Sequence, residues 1–219
     1  MSAAPYRLVI FDFDGTLADS FGWFLDVFDE VADRFRFRRL DRERLDHLRG
    51  LSTQDLLRHH GVPLWKVPMI AAHARTLQAH TLKTQPAHGI AVFAGMDAVV
   101  TGLRARSVRL ALVSSNARGN IERILPPHTM TAFDHVACGA SLFGKTAKFR
   151  AALKTTGVEA RHALAIGDEV RDIEAARQAG MASGAVTWGY AAADRLRLER
   201  PDHVFDRPEA ITDLFDAAD

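Results

Sequence analysis

A single cysteine, Cys138, leaves the chain with no internal disulfide, and nothing in its cysteine usage points to an oxidising compartment. No apolar run approaches the roughly 20 residues that a membrane-spanning helix needs. The start, "MSAAPYRLVI", lacks the charged opening and longer apolar stretch of a secretory signal, so a cytoplasmic location is the expectation. An excess of one charge is missing too. The 28 Lys and Arg against 27 Asp and Glu leave a formal +1, which argues against nucleic acid and membrane as partners and is compatible with a small anionic substrate. Internal repeats and low-complexity tracts are absent as well, and composition does not address the oligomeric state.

The 219 residues are 47% hydrophobic and 25% charged, which suits a globular protein long enough to bury a sizeable core. Short apolar runs alternate with longer amphipathic ones. "RLVIF" from Arg7, "RLALV" from Arg109, "HVAC" from His135, "ALAI" from Ala163, "GAVTW" from Gly184 and "HVF" from His203 read as strands. "GMDAVVTGLRAR", "ARGNIERIL", "KTAKFRAALKTTG", "EVRDIEAARQAG" and "PEAITDLF" read as helices, with Gly157 and Gly180 as stop signals. This alternation predicts right-handed βαβ units, and hence an α/β fold whose doubly wound sheet is mainly parallel. From about Asp19 to Gln85 only helical periodicity is visible, so this block is expected to be a helical cap (19–84) inserted into a core formed by 1–18 and 85–219.

In such sheets ligands bind beyond the carboxyl ends of the strands, at a switch in strand order. Four stretches fall at such ends: "DFDGT", with Asp12, Asp14 and Thr16; "LVSSN", with Ser114, Ser115 and Asn116; Lys145 after "SLFG"; and "AIGDEVRD", with Asp168 and Asp172. Residues i and i+2 of a strand share a face, so Asp12 and Asp14 repel one another unless a cation joins them. Asp12, Asp14 and Asp168 make an oxygen-rich set suited to Mg²⁺. Ser114 and Lys145 are donors for phosphate oxygens. The inventory fits phosphoryl transfer through an aspartyl-phosphate.

Taken in order, "DFDGTLADS", "LVSSN", "GK" and "IGDEVRDIEAARQAG" resemble the four signature motifs of the haloacid dehalogenase (HAD) superfamily, in its phosphoglycolate-phosphatase-like branch; "VTWGY" and "PDHVFDRPEAI" add to the resemblance. The resemblance implies a Rossmann-like core in which the first and fourth βα strands are neighbours. It implies that Asp12 is the nucleophile and Asp14 the acid and base. Mg²⁺ would be held by Asp12, the backbone carbonyl of Asp14, and Asp168, with Asp172 in support; Thr16 and Asn116 are further supporting residues of the site. Phosphate would meet Ser114, Ser115 and Lys145, with Lys148 as the alternative lysine. Serine also caps helices, and Ser114 is open to that reading. In the cap, Arg49 of "LRGLSTQDLL" resembles a substrate-specificity position, or is an exposed arginine at a helix end.

The function this implies is a Mg²⁺-dependent phosphatase of small, phosphoglycolate-like phosphomonoesters. A phosphosugar mutase using the same aspartyl-phosphate, or a phosphate-responsive binding protein without turnover, are the alternatives. Asp14 argues against dehalogenation, which has no oxygen leaving group to protonate.

Overall fold

The computed structural model describes residues 6–84, 90–139 and 144–216. Its strands, in chain order, are β1 (Leu8–Phe11), β2 (Ala18–Asp19), β3 (Ala91–Val92), β4 (Arg109–Val113), β5 (His135–Ala137), β6 (Ala163–Gly167), β7 (Ala182–Val186) and β8 (His203–Phe205). Six of them form one sheet in the order β5-β4-β1-β6-β7-β8, every neighbouring pair parallel. All six expected strands are present. Their apolar residues split by parity, as a sheet buried on both faces requires. Val9 and Phe11 of β1 join one core cluster, with Leu110 and Leu112, while Leu8 and Ile10 join the opposite cluster, with Ala111 and Val113.

Helices α5 (Met96–Ala105), α6 (Arg118–Ile124) and α11 (Glu209–Asp216) bury Val100, Ile121 and Phe215 against the first face. Helices α8 (Gly144–Thr156) and α9 (Val170–Ala179) bury Phe149 and Ala176 against the second. α9 is closed at both ends by its own residues. Glu169 and Asp172 form a reciprocal capping box, and Gly180, at φ +75°, turns its N–H back onto Ala176 and Arg177.

Four helices lie between β2 and β3: α1 (Phe21–Phe35), α2 (Leu45–Arg49), α3 (Thr53–His60) and α4 (Val67–Thr84). α3 starts where Ser52 Oγ accepts from Asp55 N at 3.1 Å, and ends on Gly61 at φ +70°. The arginine-rich stretch after α1 folds onto its own acids: Arg39 pairs with Asp33 and Arg42 with Asp29. None of these helices belongs to the sheet. The expected return to the core at Gln85 lies outside the described residues, as do Ser141, Leu142 and Phe143 of "SLFG".

Three features differ from the sequence expectation. The block beginning at Asp19 opens on a strand, because Ala18 and Asp19 pair antiparallel with Val92 and Ala91. Two residues per strand are too few to show an alternation. For the same reason α7 (Pro127–Thr131) and α10 (Ala193–Leu198), each less than two turns long, had no readable period. Among the described residues no helix is long and apolar enough to cross a membrane.

Candidate active site

Numbered by appearance in the sheet, the strands run 3-2-1-4-5-6, so the switch in direction falls between β1 and β6. Asp12 follows β1 and Asp168 follows β6, which brings both to that crevice. Asp12 remains tied to the sheet, its N–H donating to the Ile166 carbonyl at 2.9 Å. The chain then winds tightly, with the Thr16, Leu17 and Ala18 amides all donating to Phe13 O at 2.9–3.2 Å. Gly15 takes φ +76°, and a Cβ there would overlap Asp168 Oδ2 and the Tyr190 ring; one at Gly189 would overlap the Asp168 side chain. Asp168 thus sits in a cradle that two glycines leave open.

The Asp168 carboxylate accepts from Thr16 Oγ1 at 2.9 Å and from Tyr190 N at 2.8 Å. Asp172, at the third position of α9, accepts from Glu169 N at 3.1 Å and from Lys145 Nζ. Lys145, in the first turn of α8, also pairs with Asp12 Oδ2 at 2.7 Å. Asp12, Asp168 and Asp172 are all buried, and one oxygen of each lies within 4.8 Å of the other two.

The converging carboxylates are therefore Asp12, Asp168 and Asp172, the last expected in support, where the sequence suggested Asp12, Asp14 and Asp168 as the oxygen-rich set. The Asp14 side chain turns to Asn116, whose Nδ2 donates to its two oxygens at 2.9 and 3.2 Å, with Gln78 Nε2 at 3.5 Å. The Asp14 carboxylate is thereby engaged by side-chain amides, apart from the other three. Lys148 is used structurally: its Nζ donates to the carbonyls of Ser114, at 2.6 Å, and of Gly139. Ser114 is buried beside β4, and its Oγ accepts from Asn116 N at 2.9 Å rather than from the first turn of α6. Ser115 is exposed at the mouth of the site. Arg49, expected to offer its forked donors to a substrate, turns Nε and Nη2 onto the carbonyls of Tyr190 (3.0 Å) and Gly189 (2.9 Å) and lies over the Phe21 ring.

Charge decides the character of the crevice. Burial pushes the Asp168 carboxyl well above the usual carboxylate range, and Glu169, Asp172 and Asp12 push it further. Burial also raises Asp12, against the pull of Lys145. Burial alone would lower the Lys145 ammonium, yet Asp12 and Asp172 outweigh it and hold it up. Asp14 is pushed up to about 6 by burial and the Asp12 charge, opposed by hydrogen bonds from Ser20, Asn116 and Gln78. Four acids, Asp12, Asp168, Glu169 and Asp172, face two cations, Lys145 and Arg171. Hard oxygen donors in excess of positive charge fit a divalent cation of the Mg²⁺ kind.

Several contributors carry no motif of their own. Gln78 of α4 accepts from both Asn116 and Asn120, at 2.7 and 3.1 Å, tying the inserted helices to the β4 end. Glu169 is visible only as a helix cap, and Gly189 and Tyr190 only through "VTWGY". Trp188 donates Nε1 to Thr16 O at 3.2 Å and stands edge-on to Phe93.

Known proteins resemble this chain in sequence and in fold. The model of haloacid dehalogenase-like hydrolases matches residues 9–186. A phosphoglycolate phosphatase of Synechococcus elongatus is 31% identical, over 95% of this chain and 98% of its own. Two solved structures share the fold: a haloacid dehalogenase-like hydrolase of Streptococcus pneumoniae (TM-score 0.75, 19% identity, 96% of this chain and 99% of that one) and CbbY of Rhodobacter sphaeroides in complex with phosphate (0.71, 22%, 96% and 99%). With its parallel sheet, its crevice of buried aspartates and a family model spanning most of its length, the chain belongs to the haloacid dehalogenase-like hydrolases.

Proposed function

We propose that this phosphoric monoester hydrolase acts on small phosphomonoesters through an aspartyl-phosphate on Asp12, beneath a cap formed by the helices of 19–84. The observation that carries the reading is the different fate of two aspartates two residues apart. Asp12 is held against Lys145, while Asp14 stands outside the carboxylate cluster with its carboxyl raised to about 6.

In the first step an Asp12 oxygen attacks phosphorus, the bond from phosphorus to the ester oxygen breaks, and the Asp14 proton passes to the departing alcohol. A carboxyl near 6 keeps part of its protons at neutral pH and suits both directions of transfer. In the second step Asp14, now ionised, takes a proton from water as that water attacks phosphorus, and Asp12 is released. Lys145 balances the charge of the transferring group. The Ser114 hydroxyl, an acceptor towards Asn116 N, keeps its proton for a phosphate oxygen, and Ser115 lies at the mouth. Mg²⁺, held by Asp12, Asp168 and the Asp14 carbonyl with Asp172 in support, would supply charge neutralisation at the phosphoryl oxygens. Hydrolase names among the relatives favour transfer to water over return of the group to a substrate, as a mutase requires.

The test is phosphate release from a panel including p-nitrophenyl phosphate and phosphoglycolate, with Mg²⁺ and with chelator. Metal-dependent release that disappears in Asp12→Asn is expected. Release undiminished in that variant would overturn the covalent route.

A further inference from the structure

A cavity of about 430 Å³ runs from Asp14, Ser115 and Asn116 into the inserted helices. At the core end its lining is polar. Further in, it is walled by Phe24, Phe28, Leu48, Leu57 and Ile70. The arginines on this lining lie towards the core end. Arg49 holds the Tyr190 and Gly189 carbonyls, Arg171 pairs with Glu169, and Arg75 reaches only towards the Ser115 carbonyl at 3.5 Å. His60 uses Nδ1 on the Arg38 carbonyl, and its burial favours the neutral ring.

Beyond the phosphate, then, the lining arginines, of which Arg49 and Arg75 pair with no carboxylate among the described residues, lie towards the core end, while the deep part of the chamber offers hydrocarbon surface. A leaving group bearing a carboxylate would shed its hydration there without a partner, which is strongly unfavourable. An alkyl or aryl group would gain from leaving water. The volume also lies in the range of pockets for sizeable organic molecules, roughly 300–1,000 Å³, well above the need of a two-carbon acid. We infer that the preferred substrates are phosphomonoesters of apolar alcohols, with the alkyl or aryl leaving group seated among Phe24, Phe28, Leu48, Leu57 and Ile70. This inference rests on the phosphatase reading and narrows its substrate class.

The n-alkyl phosphates from ethyl to octyl test it, since their alcohols differ little in acidity and the chemistry stays constant along the series. With Mg²⁺, kcat/KM should rise roughly three- to fourfold per methylene until the chamber is full, and hexyl phosphate should exceed phosphoglycolate. The n-alkyl phosphonates, which are not hydrolysed, should bind with affinity rising in parallel by calorimetry. Ala74→Phe, which fills the chamber from α4, should flatten both gradients; if it does not fold, the wild-type series decides alone. A flat or falling series, or phosphoglycolate ahead of hexyl phosphate, would overturn the inference and leave the phosphatase reading standing. Phosphonate binding that rises with chain length, in a protein that hydrolyses no ester, would support the chamber and overturn the phosphatase reading.

Discussion

Asp12 and Asp14 are the same residue type, two positions apart, yet they are chemically distinct because different neighbours reached them. Lys145 meets the first, and Asn116 with Gln78 meets the second. Their variants should separate accordingly. In Asp12→Asn an amide replaces the nucleophile, so turnover should vanish with the fold intact by circular dichroism. Because burial disfavours the charged form there, the variant should be at least as stable as wild type without Mg²⁺. Asp14→Asn should still be phosphorylated by an aryl phosphate, whose leaving group needs little protonation. A rapid-quench experiment should then show a burst of aryl alcohol without matching phosphate, whereas equal slowing of both products would remove Asp14 from the base role.

Between elements, the inserted helices hold the core at two places. Gln78 of α4 bridges Asn116 and Asn120, while at the end of α2 Arg49 grips the loop after β7 and accepts from Ala192 N at 3.0 Å through its carbonyl. If Arg49 is a latch, Arg49→Ala should lower kcat/KM by a similar factor for phosphoglycolate and for p-nitrophenyl phosphate, by roughly 1–3 kcal/mol of lost charged hydrogen bonding. A loss confined to phosphoglycolate would return the fork to the substrate. The insertion should also weaken in acid. Burial holds the His60 imidazole below its ordinary 6.5, against its Arg38 hydrogen bond. A histidine depressed in the folded state contributes stability above 6.5 that is lost as pH falls below it. His60→Leu should flatten that acid limb in melting curves taken between pH 7.5 and 5. His135 and His203 are depressed as well, so the informative quantity is the difference from wild type.

For the molecule as a whole, the excess of buried carboxylates fits a divalent cation that, once bound, would stabilise the fold. Mg²⁺ should raise Tm, by about 2.7 kcal/mol of stabilisation at a hundred times Kd, and chelation should reverse the gain. Asp168→Asn should shrink the increment, and an unchanged increment would place the cation elsewhere. The sheet was legible in the sequence because six runs of apolar residues, bounded by turns and separated by amphipathic stretches, admit few other arrangements. The crevice was legible because its residues sit at strand ends. What could not be read depends on contacts distant in the chain: the turn of Asp14 towards Asn116, the capture of Arg49 by backbone carbonyls, and the arrival of Gln78 from a helix whose period does not say what it faces.

Pairing of Asp19 with Ala91 gives the four inserted helices an entrance and an exit side by side. Everything between those two positions is an excursion whose length and content leave the register of the main sheet untouched, and closing a longer excursion costs only slowly more entropy. The carboxylates of the crevice and most of the chamber wall are accordingly encoded by separate stretches of chain. Reshaping the stretch between Asp19 and Ala91 would change what is admitted to the crevice while the strands that carry its aspartates stay as they are.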